Sequence, residues 1–125
     1  VADEKTEVKA SLAKDILLKI ARGEAEAATS TLTWDELVWS TRRLLGVEVA
    51  TREGEKFLRF PNLKLLSMDG KTLWEAQRLV RIYGLKPRDA IHSASAIRNG
   101  TKEIVSDDPD FDALKELRRT RLEEF

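Results

Sequence analysis

The spacing of apolar residues predicts helices over most of the chain. Over residues 4–22 they recur every three or four positions, which predicts an amphipathic helix that ends at Gly23. Residues 33–36 and 72–75 each have the S/T-x-x-E form of a capping box, which predicts two helix starts. Pro87 suits the first position of a further helix that is rich in small residues. The helices after the first are predicted over residues 33–45, 51–60, 72–83, 88–99 and 110–119.

Short apolar runs between these helices predict strands. Residues 63–68 form a compact apolar run with one charge, Lys64, which predicts a buried strand. Residues 103–106 predict a second strand, residues 27–30 a brief strand or turn, and residues 121–125 a terminal strand of weak pattern. Helices that alternate with short strands predict an α/β fold with a mostly parallel sheet. Without an internal repeat or a linker, residues 1–125 are expected to form one domain.

Composition narrows the classes of function. The chain has no Cys, which excludes thiolate catalysis and disulfides and makes a reducing, cytoplasmic compartment the default. No apolar run approaches the roughly 18 residues that a membrane span needs. Since 22 Lys and Arg residues balance 22 Asp and Glu residues, the net charge argues against a protein that binds nucleic acid by bulk neutralisation of phosphates, and leaves open a local basic patch. Few side-chain amides and a single Met suggest a thermophilic source.

Acidic residues lie at three places in the chain, either directly after a predicted strand or in the first turn of a predicted helix. Glu36 follows residues 27–30, Asp89 lies in the first turn of the small-residue helix, and Asp107 and Asp108 follow residues 103–106. Each alone has an ordinary explanation as a capping or turn residue. Side chains beyond the carboxyl ends of parallel strands come together, and two carboxylates about 4 Å apart repel by roughly 4 kcal/mol at an effective dielectric near 20. A hard divalent cation such as Mg²⁺ would offset that repulsion.

Residues 85–96, Gly100 and residues 104–111 resemble the PIN domain, in particular the VapC-like toxins. The match is to a D-A-hydrophobic-H/L-A helix followed by a hydrophobic strand and S/T-x-D-x-D-F. The resemblance implies a three-layer α/β/α Rossmann-like fold with a mostly parallel central sheet, and a ribonuclease that depends on Mg²⁺ or Mn²⁺. It implies Glu36, Asp89 and Asp108 as catalytic metal ligands and Asp107 as an accessory ligand. The implied supporting residues are Ser106, Thr29 and Ser30.

The chain departs from this family at its beginning. The family opens with a hydrophobic strand that ends in an Asp, and no such strand precedes the first helix here. We therefore expect the chain to lack one carboxylate and the usual central strand, and Asp3 to lie in the loop after the missing segment. The first residue is Val, so the chain as given need not begin where the natural protein begins.

Two functions remain open. The first is a metal-dependent endoribonuclease, the toxin of a toxin–antitoxin pair, with RNA as substrate, a cognate antitoxin as partner and a homodimer as its assembly. The second is a catalytically degenerate module that binds RNA or a protein, which the missing strand favours. Arg42, Arg43 and Arg88 are candidates for contacts with RNA phosphates, although a solvated face is the commoner meaning of such charges. His92 is interpreted as a packed or hydrogen-bonded helix residue, and the three Trp residues as core or subunit-interface residues.

Overall fold

The computed structural model describes residues 4–125, so the expectation for Asp3 lies outside the described residues. Five helices are present over that range: α1 (Glu4–Ala21), α2 (Leu32–Leu45), α3 (Val47–Leu58), α4 (Gly70–Tyr83) and α5 (Pro87–Arg98). Four strands lie between or after them: β1 (Ala27–Ser30), β2 (Leu63–Leu66), β3 (Glu103–Val105) and β4 (Arg118–Thr120). Two short 3₁₀ helices span Pro109–Ala113 and Leu122–Glu124. None of the helices in residues 4–125 is long and apolar enough to cross a membrane.

The strands form two parallel pairs. β1 pairs with β2, with Ala27 opposite Leu63, and β3 pairs with β4, with Glu103 opposite Arg118. The α/β class and the parallel pairing are therefore confirmed. Within residues 4–125, however, the pairs are two separate two-stranded sheets, so the described residues do not form the continuous central sheet of a three-layer arrangement.

The C-terminal predictions are wrong. Residues 110–119 were expected to form a helix, but the 3₁₀ helix ends at Ala113 and β4 follows. Within residues 121–125, where the sequence predicts a strand, Leu122–Glu124 form a 3₁₀ helix. Tertiary pairing explains the first difference, because the backbone N–H groups of Arg118 and Ser106 donate to the carbonyls of Lys102 and Thr120 across β3 and β4, at 2.8 and 2.9 Å.

Two helix starts also differ from the predictions. The second capping box uses Asp69, whose side chain accepts from the backbone N–H of Thr72 at 3.0 Å, so α4 begins before the predicted start at Thr72. α3 begins at Val47, because Gly46, at φ 91°, lets the chain turn directly out of α2. An L-residue rarely adopts that φ, so the glycine permits this short connection.

The fully buried core lies between α4, α5 and the first 3₁₀ helix. Leu79, Ala90 and Ala94 are completely buried there. The strands contribute less, since Leu63 and the rest of β2 are half-buried or exposed rather than buried as expected. The three Trp side chains, Trp34, Trp39 and Trp74, are 42%, 53% and 78% exposed, so they do not fill the core of this chain. Their alternative assignment to a subunit interface stays a prediction.

We expect Asp69→Ala to lower the melting temperature at neutral pH. The hydrogen bonds from Thr72 lower the pKa of Asp69. Their stabilisation is therefore present above the unfolded-state pKa of about 4 and is lost as the pH falls through the folded-state value. Thermal unfolding at pH 7 and pH 3 should show a difference from wild type that shrinks at the lower pH. Asp69→Asn is the matched control, since Asn also caps helices, and an equal loss in both variants would contradict the capping role.

Candidate metal site

Three carboxylates come together where α5 begins and where β3 ends. Asp89 lies in the first turn of α5, which Pro87 opens, and Asp108 and Asp110 lie at the start of the first 3₁₀ helix. Each residue offers a carboxylate oxygen, and these oxygens all lie within 4.8 Å of one another. We call Asp89, Asp108 and Asp110 the acidic group. The structure thus brings together two predicted ligands, Asp89 and Asp108, with one that was not predicted.

The loop after β3 is fixed by its own polar side chains. The Oγ of Ser106 accepts from the backbone N–H of Asp108 at 3.0 Å. The Oδ1 of Asp108 in turn accepts from the backbone N–H of Asp110 at 2.9 Å, and so caps the 3₁₀ helix. The next side chain, Phe111, is buried in the core. This arrangement fits the supporting role expected of Ser106, because the hydroxyl orients the turn that carries two carboxylates.

The electrostatics of the acidic group favour a bound cation. Burial, and then the negative charges of Asp108 and Asp110, raise the pKa of Asp89, while Lys86 and His92 act in the opposite direction. The Lys86 Nζ lies 3.6 Å from Asp110 Oδ2, but Lys86 is an exposed side chain. Placing like charges this close costs free energy that a cation between them would recover.

Glu36 is connected to this region through a histidine. Its Oε1 lies 2.6 Å from the Nε2 of His92, which is one helical turn beyond Asp89 on α5. His92 is thus a hydrogen-bonded helix residue, as interpreted from the sequence. Glu36 itself is not a member of the acidic group. The pair instead links α2 to the first half of α5.

The first capping box predicted from the sequence does not form, which frees Glu36 for this contact. Thr31 occupies the N-cap of α2 without a side-chain hydrogen bond. Thr33 bonds instead to Thr29 through their hydroxyl groups at 2.7 Å, and Ser30 Oγ accepts from the backbone N–H of Leu32 at 3.1 Å. Thr29 and Ser30 therefore hold the turn from β1 into α2, which sets the position of Glu36.

Asp107 faces away from the acidic group. Its Oδ1 accepts from the backbone N–H of Leu122 at 3.0 Å, and its Oδ2 lies 3.7 Å from Lys9 Nζ. The structure thus places this predicted accessory ligand against α1 and the C-terminal residues. The residue that sequence reasoning missed is Asp110, although the S-x-D-x-D-F pattern already contained it as the second Asp.

The basic candidates occupy different surfaces. Arg42 and Arg43 are exposed in the last turn of α2, where the Arg43 guanidinium lies 4.7 Å from the centre of the Trp39 ring. Arg88 is exposed in the first turn of α5 and precedes Asp89 in the chain. Arg88 is therefore the predicted phosphate contact nearest in sequence to the acidic group.

The acidic group fits a hard divalent cation. It offers carboxylate oxygens, which Mg²⁺ and Mn²⁺ prefer, and two of its three residues are exposed, which leaves room for retained water and for a substrate. The nitrogen donor nearest in sequence to Asp89 on the same face of α5, His92 Nε2, is engaged with Glu36. Asp89, Asp108 and Asp110 are accordingly the residues that would hold the ion.

We expect Asp110→Asn to weaken Mn²⁺ binding by about 10- to 100-fold or more. Loss of a residue that only hydrogen-bonds to a metal ligand already lowers metal affinity by that much. Asp107→Asn should leave Mn²⁺ affinity unchanged and lower stability slightly, because Asp107 holds Leu122 and Lys9 instead. Titration of Mn²⁺ followed by electron paramagnetic resonance measures both affinities. Equal weakening in the two variants would contradict the assignment.

Fold and site together define an α/β domain with a candidate divalent-metal site beyond the carboxyl end of a parallel strand. A family model of the PIN domain matches residues 1–117. The chain therefore belongs to the PIN domain family.

Three solved structures that are similar to this chain in fold are described as components of toxin–antitoxin systems. One is described as VapBC2 from Rickettsia felis bound to a promoter DNA fragment; it is 18% identical, has a TM-score of 0.66, and the match covers 86% of this chain and 83% of that chain. Another is described as DNA-bound VapBC from Salmonella typhimurium; it is 19% identical, has a TM-score of 0.62, and the match covers 76% of this chain and 74% of that chain. A third is described as a toxin–antitoxin complex from Klebsiella pneumoniae; it is 18% identical, has a TM-score of 0.54, and the match covers 71% of this chain and 69% of that chain. Among curated protein sequences none matches this chain significantly.

Proposed function

We propose that this protein is a metal-dependent endoribonuclease that hydrolyses RNA phosphodiester bonds, and that it is the toxin of a VapBC-type pair. The observation that carries the proposal is the acidic group, in which oxygens of Asp89, Asp108 and Asp110 lie within 4.8 Å of one another. Membership of the PIN domain family and the toxin–antitoxin origin of the structural neighbours support the class.

The roles of the residues follow from their positions. Asp89, Asp108 and Asp110 hold Mg²⁺ or Mn²⁺, and Ser106 keeps the loop of the last two in place. When bound, the ion activates a water nucleophile and compensates negative charge at the phosphodiester. Glu36, fixed by His92 at 2.6 Å, borders the same region and is available to orient water or substrate. Arg88 is the proposed contact to an RNA phosphate beside the cleaved bond.

The proposed partners are an antitoxin and a second copy of the chain, in the cytoplasm where cellular RNA is available. The neighbouring solved structures are VapBC or toxin–antitoxin complexes, which supports an antitoxin partner. Exposed large apolar side chains on α2 and α3 also favour a protein partner. They are Trp34, Trp39, Leu44, Leu45, Val47 and Leu58.

Cleavage of a mixed single-stranded RNA in Mg²⁺ or Mn²⁺ tests the proposal. We expect fragments that disappear when EDTA removes the metal and reappear when Mn²⁺ is restored in excess. Cleavage that persists in EDTA would contradict the metal-dependent reaction. Stoichiometric Mn²⁺ binding without cleavage of RNA by the chain, also after restoration of any upstream coding sequence, would favour the non-catalytic module.

A further inference from the structure

Arg119, in the middle of β4, contacts both ends of the loop that carries two members of the acidic group. Its Nη1 donates to the backbone carbonyl of Ser106 at 3.2 Å. Its Nε and Nη2 donate to the two carboxylate oxygens of Asp112, at 2.8 and 3.1 Å. We call residues 106–112 the acidic loop. One guanidinium group therefore bridges the first and the last residue of the acidic loop.

The contact between Arg119 and Asp112 is specific in geometry. Two parallel hydrogen bonds between a guanidinium and a carboxylate fix the relative orientation of the two groups as well as their distance. The hydrogen bonds from Arg119 lower the pKa of Asp112, which keeps the pair ionised at neutral pH. The Arg119 side chain is only 15% exposed, but that of Asp112 is 57% exposed. Because a pair with an exposed partner adds little to global stability, we expect its main effect on the conformation of the acidic loop.

Hydrogen bonds connect Arg119 to the carboxylates of the acidic group. The backbone of Ser106 is held by β4 on both sides, since its N–H donates to a carbonyl of β4 at 2.9 Å and its carbonyl accepts from Arg119. The Oγ of Ser106 accepts from the N–H of Asp108, whose Oδ1 accepts from the N–H of Asp110. In the described part of the chain, Arg119 itself makes no hydrogen bond or ion pair to Asp108 or Asp110. It can therefore act on them only through the residues at the ends of the loop or through its charge.

We propose that Arg119 is a positioning residue for the candidate metal site. By bridging the two ends of the acidic loop, it holds Asp108 and Asp110 at the separation from Asp89 at which all three carboxylates reach one divalent cation. The proposal rests on the proposed metal-dependent function, because the acidic group is the site that the loop serves. The buried Phe111 ring holds the same loop from the side of the core, so the loop is fixed on two sides.

The charge of Arg119 predicts the opposite effect from its hydrogen bonds. A positive charge near a cation site disfavours the cation, so by charge alone Arg119→Gln would bind Mn²⁺ more tightly and Arg119→Lys would bind it as wild type does. Positioning predicts weaker binding in both variants, because neither side chain offers the planar fork that bonds to Asp112 and Ser106 at once. The matched controls are Arg118→Gln and Arg118→Lys, since Arg118 is the preceding residue of β4 and pairs with Glu103 at 2.7 Å instead.

The experiment combines two measurements on these four variants and the wild-type protein. Titration followed by electron paramagnetic resonance gives the Mn²⁺ affinity. Nuclear magnetic resonance gives the backbone order parameters of Asp108 and Asp110 in the metal-free protein, and the signals of α5 report that each variant is folded. In both Arg119 variants we expect about tenfold weaker Mn²⁺ binding and order parameters that fall from about 0.85 towards 0.6. Both Arg118 variants should match the wild-type protein in the two measurements.

Three results would overturn the proposal. They are unchanged order parameters of Asp108 and Asp110 in the Arg119 variants, tighter Mn²⁺ binding by Arg119→Gln, and an equal effect of the Arg118 variants. Failure of the proposed function is a separate result, because the order parameters are measured without metal or RNA. If the wild-type protein bound Mn²⁺ but cleaved no RNA, the nuclease function would be contradicted, and the same two measurements would still decide the role of Arg119.

Discussion

Asp89→Asn should abolish metal-dependent RNA cleavage and at the same time stabilise the metal-free protein. Asp89 is the member of the acidic group that is partly buried, and its oxygen lies within 4.8 Å of those of Asp108 and Asp110. Removing its charge leaves two exposed carboxylates to hold the cation. We expect the cleavage rate to fall by more than about 100-fold. Residues that only hydrogen-bond to metal ligands already contribute about 10- to 100-fold to metal affinity or activity.

The gain in stability follows from the same charges. Burial and the neighbouring Asp108 and Asp110 raise the pKa of Asp89 in the folded protein. A carboxylate whose pKa is higher in the folded than in the unfolded protein lowers the free energy of unfolding at pH values above the unfolded-state pKa. That cost disappears below about pH 4, where the carboxylate is protonated in both the folded and the unfolded protein. The free energy of unfolding of metal-free Asp89→Asn should exceed that of wild type by about 1 kcal/mol at pH 7, the Coulomb energy of one such pair in water. The difference should vanish near pH 3.

Asp15→Asn is the matched control, because Asp15 is an exposed carboxylate on α1 and its removal changes the net charge equally. It should leave cleavage as in wild type. Adding Mn²⁺ should stabilise wild type and Asp15→Asn but not Asp89→Asn, since a ligand that binds the folded state raises stability. Undiminished cleavage by Asp89→Asn, or a loss of stability at pH 7, would contradict the role of Asp89.

Local sequence signals predicted those parts of the candidate site whose structure is determined within a few neighbouring residues. The helix start at Pro87 predicted Asp89 in the first turn of α5, and the Oγ of Ser106, the serine after β3, accepts from the backbone N–H of Asp108. These predictions needed only helix-start and turn chemistry, which act over a few residues.

Contacts between distant segments were beyond the reach of those signals. Sequence signals offered Glu36 as half of a capping box or, by the family resemblance, as a metal ligand, yet its hydrogen-bond partner is His92, 56 positions away. Residues 110–119 have a helix-compatible composition, but pairing of β4 with β3 and burial of Leu114 and Leu117 determine their structure. A hydrogen bond across the fold or a strand pair outweighs the small differences in helix propensity between residues.

Phe111→Ala should lower stability sharply and weaken metal binding together. The Phe111 ring is buried in the core between α4, α5 and the first 3₁₀ helix, and it directly follows Asp110. Removing a buried Phe side chain costs about 3–5 kcal/mol, a large part of the roughly 5–15 kcal/mol that stabilises a domain. Because that ring anchors the turn that carries Asp108 and Asp110, we expect Mn²⁺ affinity to fall even in the molecules that remain folded.

Leu79→Ala separates the anchoring effect from general loss of stability. Leu79 is completely buried in the same core but lies on α4, away from the acidic loop, and its removal costs about 2–5 kcal/mol. Measured at a temperature where both variants are folded, Mn²⁺ affinity should fall in Phe111→Ala and stay near the wild-type value in Leu79→Ala. Equal affinities in the two variants would show that the turn holds its carboxylates without Phe111. Unequal affinities at equal stability would show that the core positions the acidic group through this one ring.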